Sequence, residues 1–192
     1  MIIKFLSINF FFYIKNFFSR FRNVLVHADL WTNNFLFKND NKNKVEHALI
    51  IDFQIARYAP PAHDVSMFFH LVQNKKFRDV YKSKLLNYYY EALTEELELN
   101  DLKINSLLPW DEFQESYDYY EELAILTALF YFQMILAPGE FASKFLSSSE
   151  IYTQTMFVSR NDMVKECYLT DDIYRTRVTE EMDELIWKYI LI

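Results

Sequence analysis

Two regimes of apolar spacing meet near residue 64, and they restrict the chain to a small β portion followed by helices. Before that point the apolar residues come in short runs: Asn23-Val24-Leu25-Val26, then Phe35-Leu36-Phe37, then Val45 to Ile51. These read as strands, and the polar stretch Lys38-Asn39-Asp40-Asn41-Lys42-Asn43-Lys44 reads as the turn of a hairpin between the last two. Tyr58-Ala59-Pro60-Pro61 interrupts regular structure, because proline lacks an amide donor and pushes its predecessor toward extended geometry. Asp64 then leads a helix with Val65, Met67, Phe68, Phe69, Leu71 and Val72, an acid at that point being able to bond backbone amides. Beyond it the spacing predicts helices over 64–73, 76–98, 111–137, 140–146, 161–168 and 171–190, with Pro109 and Pro138-Gly139 as breaks. Leu123 to Ala137 is apolar nearly all round, which predicts a central core helix too short to span a bilayer. The expected class is α+β, mostly helical, with no internal repeat.

A chain of 192 residues, 52% of them hydrophobic, can bury one substantial core, so a single domain is the default. Aromatic residues make up 19% of the chain, which predicts a bulky core built of rings. The formal charge of -7 argues against a nucleic-acid surface, whose affinity comes from clustered Lys and Arg. Cys167 is the only cysteine, so no intramolecular disulfide and no multi-thiolate metal site can form, and a reducing, cytoplasmic setting fits.

Residues 4 to 21 read as a helix, and 1–22 as a separate N-terminal amphipathic segment. Lys15 interrupts its apolar run well short of the roughly 20 residues that span a bilayer. Arg20 and Arg22 follow where a signal peptide would show a small-residue cleavage pattern. The segment is expected either to bury its apolar face or to lie in a membrane interface.

The chemistry concentrates in the loop after the first strand. Asp29 stands two residues after His27, Asn34 stands five beyond Asp29, and Asp52 closes the strand Leu49-Ile50-Ile51. Phosphoryl transfer on the protein-kinase-like template uses an Asp two residues after a His to orient the acceptor hydroxyl. It uses an Asn five residues beyond that Asp to hold a metal, and a later strand-end Asp for the metal that bridges the phosphates. The hairpin supplies what spacing alone does not, because it folds the chain back and brings Asn34 toward Asp52. The plainer alternative makes these residues turn acids and a turn amide.

Around them, His27 is expected to be structural, packed beneath the loop with its ring nitrogens bonded to backbone or to a carboxylate. Asp64 is either that carboxylate or a helix cap. Trp31 is an acceptor wall or a packing residue, and Arg57 contacts phosphate or pairs with an acid. His47, His63 and His70 share no zinc-ligand spacing.

Read together, His27-Ala28-Asp29-Leu30-Trp31-Thr32-Asn33-Asn34 and Ile51-Asp52-Phe53-Gln54-Ile55-Ala56-Arg57-Tyr58 resemble the ecdysteroid kinase-like family, choline-kinase-like domains related to aminoglycoside phosphotransferases. The family pattern is His-Gly-Asp-Leu-Trp-x-Asn-Asn, then Asp-Phe-Gln, then an Arg and a Pro ahead of an Asp-led helix, which Arg57, Pro60 and Asp64 supply. Ala124 to Ala137 and Tyr174 to Ile192 resemble its apolar and closing helices, so the likeness runs over about residues 23–192. It implies the large, C-terminal lobe of a protein-kinase-like fold and an ATP-dependent phosphotransferase acting on a small-molecule alcohol such as a steroid. Asp29 would be the catalytic base, Asn34 and Asp52 the magnesium ligands, and His27 and Asp64 the supports; no ATP-contacting residue is assigned.

Two departures stand out. Ala28 replaces the family's Gly, at a cost on the order of 1 kcal/mol if that backbone takes a positive φ. The sole glycine is Gly139, so this sequence has no glycine-rich phosphate loop, and Lys4 and Lys15 lie in a helical pattern. The resemblance is thus to a large lobe without its small lobe. Two expectations follow: an enzyme by descent whose chain, taken alone, does not turn over ATP, or a non-catalytic binding or scaffold module that self-associates or binds a partner through its interlobe face.

Overall fold

Short apolar runs before Pro60 and helical spacing after it translate directly into the architecture of the computed structural model, which describes residues 20–145 and 147–191. Among these residues four strands form two antiparallel pairs. β1 (Val24–Val26) pairs with β4 (Arg57–Ala59), Val24 opposite Ala59 and Val26 opposite Arg57. β2 (Phe35–Asn39) pairs with β3 (Val45–Ile50), Phe35 opposite Ile50. The polar stretch forms the hairpin turn: the Asp40 carboxylate accepts the amides of Lys42 and Lys44 at 2.7 and 2.8 Å, and Asn43 takes a left-handed φ of 58°.

The segment read as a break, Tyr58 to Pro61, is instead a strand followed at once by a helix. Tyr58 and Ala59 belong to β4, and Pro61 opens α1 (Pro61–Val72). Proline is well placed there, since the first helical amide has no intrahelical acceptor to lose. The helix therefore starts three residues before Asp64, which frees that carboxylate for a different task. Further along come α2 (Lys75–Glu98), the short α3 (Ile104–Leu107), α4 (Trp110–Ile135), α5 (Gly139–Phe145), α6 (Ser149–Thr153), α7 (Asn161–Thr170) and α8 (Asp172–Leu185). Helices α6 and α8 each widen into a π turn, Gln154–Val158 and Ile186–Ile190.

Helix α4 is the axis of the core. Phe113, Tyr117, Tyr120, Ala124, Ala128 and Phe132 are buried on it at steps of three and four residues, the spacing of one helical stripe. Ala62, Val65 and Phe69 of α1 pack with Phe113 and Tyr117, and Met67 and Leu71 with Ala124, Ala128 and Phe132. The two alanines let the helices approach closely. Rings fill the remainder as composition predicts: Tyr89 stacks on Phe113 with centroids 5.5 Å apart, and Tyr90 meets Trp110 edge-on at 4.9 Å.

The C-terminal helix is held by charge as much as by apolar contact. Arg177 of α8 donates to the carbonyls of His70 and Gln73, where α1 ends and its last carbonyls lack intrahelical donors. Behind it, buried His70 bonds Glu181 at 2.6 Å, and Arg78 pairs with Glu181 and Glu184 at 2.7 and 2.5 Å. Lys188 bridges Glu121 and Glu184, both at 3.0 Å, and Lys82 meets Glu121 at 3.0 Å.

The expected N-terminal helix lies outside the described residues except for Arg20, Phe21 and Arg22, which are not helical. Phe21 packs with Tyr120 and Leu123, and Arg22 donates to the carbonyls of Ser106 and Leu107. Among the described residues no helix is long and apolar enough to cross a membrane.

Candidate functional site

The loop between β1 and β2 is braced from three sides. On the first, Asp64 reaches from α1 to accept the amides of His27 at 2.7 Å and Ala28 at 2.9 Å. It is neither a cap of its own helix nor a partner of the His27 ring. Burial alone would raise its carboxyl pKa, but the bonds from His63, Ala28 and His27 and the nearby His63 ring hold it below the usual carboxylate range. Arg57 extends the brace: its guanidinium donates to His63 Nε2 at 3.0 Å, and His63 Nδ1 donates to Asp64 at 3.2 Å.

That brace holds a strained backbone. Ala28 has φ of 68°, the left-handed region in which a Cβ crowds the carbonyl oxygen. Its methyl is buried with Val26 and Ala59, so the loop cannot relax outward without opening the junction of β1 and β4.

On the second side, His27 ties the loop to the approach to Asp52. Its Nδ1 accepts the Asp29 amide at 3.2 Å, which leaves Nε2 to donate to the Ile51 carbonyl at 2.8 Å. Phe53 meets the imidazole edge-on at 4.5 Å. The third tie is the hairpin: the Ile51 amide donates to the Asn34 carbonyl at 3.0 Å, continuing the β2–β3 ladder one step past Phe35 and Ile50. Asn34 and Asp52 therefore flank one backbone bond despite eighteen residues of separation.

Asn34, buried at the end of a single 3-10 turn, donates its amide group to the Asp29 carboxylate at 3.0 Å and to the Asp29 carbonyl at 2.8 Å. These bonds use the amide nitrogen and not the amide oxygen. Asp52 is exposed, also has a positive φ, 66°, and takes a bond from Gln54 at 3.3 Å. An amide oxygen and a carboxylate are both hard oxygen donors, a set that suits magnesium and does not suit softer metals.

Trp31 packs against the cluster of Met67, Leu71, Ala124, Ala128 and Phe132. One residue of this site was not legible in the chain: Tyr131 of α4, whose hydroxyl donates to Asp29 Oδ1 at 3.1 Å. It lies 102 positions from Asp29, within the apolar run read as pure core, and no local pattern marks it. His70, Glu181 and Glu184 also bring ligand-type atoms within 4.8 Å of one another. Arg78 bridges both of those carboxylates, so a cation already neutralises the group and a metal does not fit it.

A histidine-anchored loop with an aspartate, a buried asparagine and a second aspartate beyond a hairpin is the arrangement that the kinase-like phosphotransferase template calls for. The more particular assignment comes from the model of the Ecdysteroid kinase-like family, which matches residues 8–102. Through that stretch, which holds the whole braced loop and Asp52, the chain is similar to the ecdysteroid kinase-like family. No curated protein and no solved structure matches the chain.

Proposed function

We propose that the described residues form the acceptor and metal half of an ATP-dependent phosphotransferase for a small-molecule alcohol, corresponding to the large lobe of a kinase-like enzyme over residues 23–192. The observation that carries this reading is the Ile51 to Asn34 backbone bond, which sets Asn34 and Asp52 side by side while the Asn34 side chain touches Asp29. Magnesium-bound ATP supplies the phosphoryl group and neutralises the charge that develops on it. Asn34, through its amide oxygen, and Asp52, through its carboxylate, are the residues that would hold the metal. Asp29 accepts the proton of the acceptor hydroxyl, and His27 and Asp64 keep its backbone in place.

The same reading predicts that this chain, assayed alone, lacks measurable ATP turnover. Its only glycine is Gly139, so it offers no glycine-rich loop of backbone amides to cover the phosphates. Titration of the full chain with Mn2+, followed by water-proton relaxation, tests the metal half directly. Millimolar or tighter binding that Asp52→Asn abolishes is expected; binding indifferent to Asp52→Asn refutes it. Calorimetry that found tight MgATP binding lost on Asp52→Asn would overturn the expected lack of turnover competence.

A second reading, a binding or scaffold module, is favoured by one observation. Leu25, Leu36, Phe37, Leu49 and Tyr58 on the two small sheets are all more than half exposed, an unusual density of apolar surface. Light scattering over a concentration series separates the two, since association through this face makes the apparent mass rise with concentration.

A further inference from the structure

Asp29 has two carboxylate oxygens, and both are engaged. Oδ2 takes the Asn34 amide at 3.0 Å, a contact that an asparagine turned toward a metal would keep. Oδ1 is therefore the oxygen that must receive an acceptor hydroxyl, and Tyr131 already sits on it at 3.1 Å. Asp29 is only 8% exposed, so no wide second approach to that oxygen exists. We infer that Tyr131 is a gate at the acceptor position: its hydroxyl occupies the place on Asp29 that the acceptor alcohol takes, and the acceptor enters by displacing it. This rests on the reading of Asp29 as the acceptor-orienting base.

The chemistry of the contact suits exchange. One neutral hydroxyl is replaced by another, so the carboxylate is never left buried without a donor, the state that would be costly. Burial, then the Asp29 charge and the bond to it, push the Tyr131 phenol up to about 12, so it remains a protonated donor at neutral pH. The gate has room to move because Tyr131 lies one turn from the end of α4 at Ile135 and is only partly buried. Tyr131 packs at the margin of the cluster of Met67, Leu71, Ala124, Ala128 and Phe132, and its neighbour Phe130, edge-on to it at 6.3 Å, is 55% exposed under the Arg160 guanidinium, so one ring beside it is open to solvent. Trp31 and Ile135, both packed at the margin of the same apolar cluster, would form the walls an opened Tyr131 uncovers.

The test uses the full chain with 13Cζ-labelled tyrosine, the Tyr131 signal being assigned by its loss in Tyr131→Phe. Benzyl alcohol is the probe, a neutral hydroxyl on a small ring. Asp29→Asn should move the Tyr131 signal, and saturating benzyl alcohol should move it in the wild type. Tyr131→Phe keeps the ring and deletes the competing hydroxyl, so it should bind benzyl alcohol about tenfold more tightly, the scale of one hydrogen bond to a charged group. Asp29→Asn added to Tyr131→Phe should abolish that gain. A Tyr131 signal blind to Asp29→Asn, or Asp29-dependent binding that Tyr131→Phe fails to tighten, overturns the gate and leaves the base assignment standing. Binding in Tyr131→Phe that ignores Asp29→Asn overturns both.

Discussion

The braced loop and the α8 latch both surround charged groups with partners, yet they do so in opposite ways. In the latch, charges of both signs face one another: Glu121, Glu181 and Glu184 against Arg78, Lys82 and Lys188, with His70 between. Every group but Lys82, which meets Glu121 alone, has more than one counterpart. In the loop, one carboxylate, Asp64, holds two amides of a strained turn, and buried Asp29 is met only by neutral donors, the Asn34 amide and the Tyr131 hydroxyl, while Asp52 is exposed. The latch therefore neutralises charge with charge, and the loop sets its polar groups against backbone and neutral donors.

The largest expected effect comes from breaking the latch at its most buried member. Glu181→Ala leaves His70 and Arg78 without their shared carboxylate and should lower stability by about 3 to 5 kcal/mol in urea denaturation. A loss below about 1 kcal/mol would mean that α8 is held by apolar contact alone. In the loop, Asp64→Ala strips two amides of their acceptor, and should cost about 2 to 4 kcal/mol, with the His27 and Ala28 amide resonances among the most displaced. If those resonances stay in place, Asp64 is not the brace.

Acid should weaken both regions together. Burial tends to raise the carboxyls of Glu121 and Glu184, but His70, Lys82 and Lys188 around the first and Arg78, Lys188 and His70 around the second hold both below their usual range. Asp64 is lowered as well. A carboxyl depressed in the folded state stabilises above its unfolded pKa and loses that contribution as pH falls through its folded value. Stability should thus be level above about pH 5 and fall progressively below about pH 4. Glu121→Gln should flatten the acid limb, and an unchanged limb would remove Glu121 from the account.

The smallest effect concerns the strain itself. Ala28→Gly relieves a left-handed alanine but gives up a buried methyl, so a gain of no more than about 1 kcal/mol is expected. A clear loss would show that packing against Val26 and Ala59 outweighs the dihedral strain.

Much of the fold was legible because it depends on near neighbours. The strand at 24–26, the hairpin and the long helices follow from apolar spacing and turn chemistry. The short helix α3, and α6 with its π turn, were not read at all, and the boundary at Tyr58 to Pro61 was misplaced because a strand of three residues next to two prolines has almost no local signal, and only pairing with β1 reveals it. The match to the family model extends over residues 8–102, so the later stretches Ala124 to Ala137 and Tyr174 to Ile192 stand outside it.

By itself the sequence determined which residues are the candidates for the chemistry, since His27, Asp29, Asn34 and Asp52 sit at fixed intervals on one loop and one hairpin. It also determined the strain at position 28, because alanine stands where the turn demands a left-handed backbone. The tertiary structure alone decided what each of those groups touches. Asp64 turned out to hold backbone amides, Tyr131 arrived from 102 residues away to cover Asp29, and α8 closed a charge network over the end of α1. These contacts join residues far apart in the chain, where neither periodicity nor turn preference acts. They exist because α1 and α4 bury a shared apolar face, and that burial fixes which polar side chains come within reach of one another.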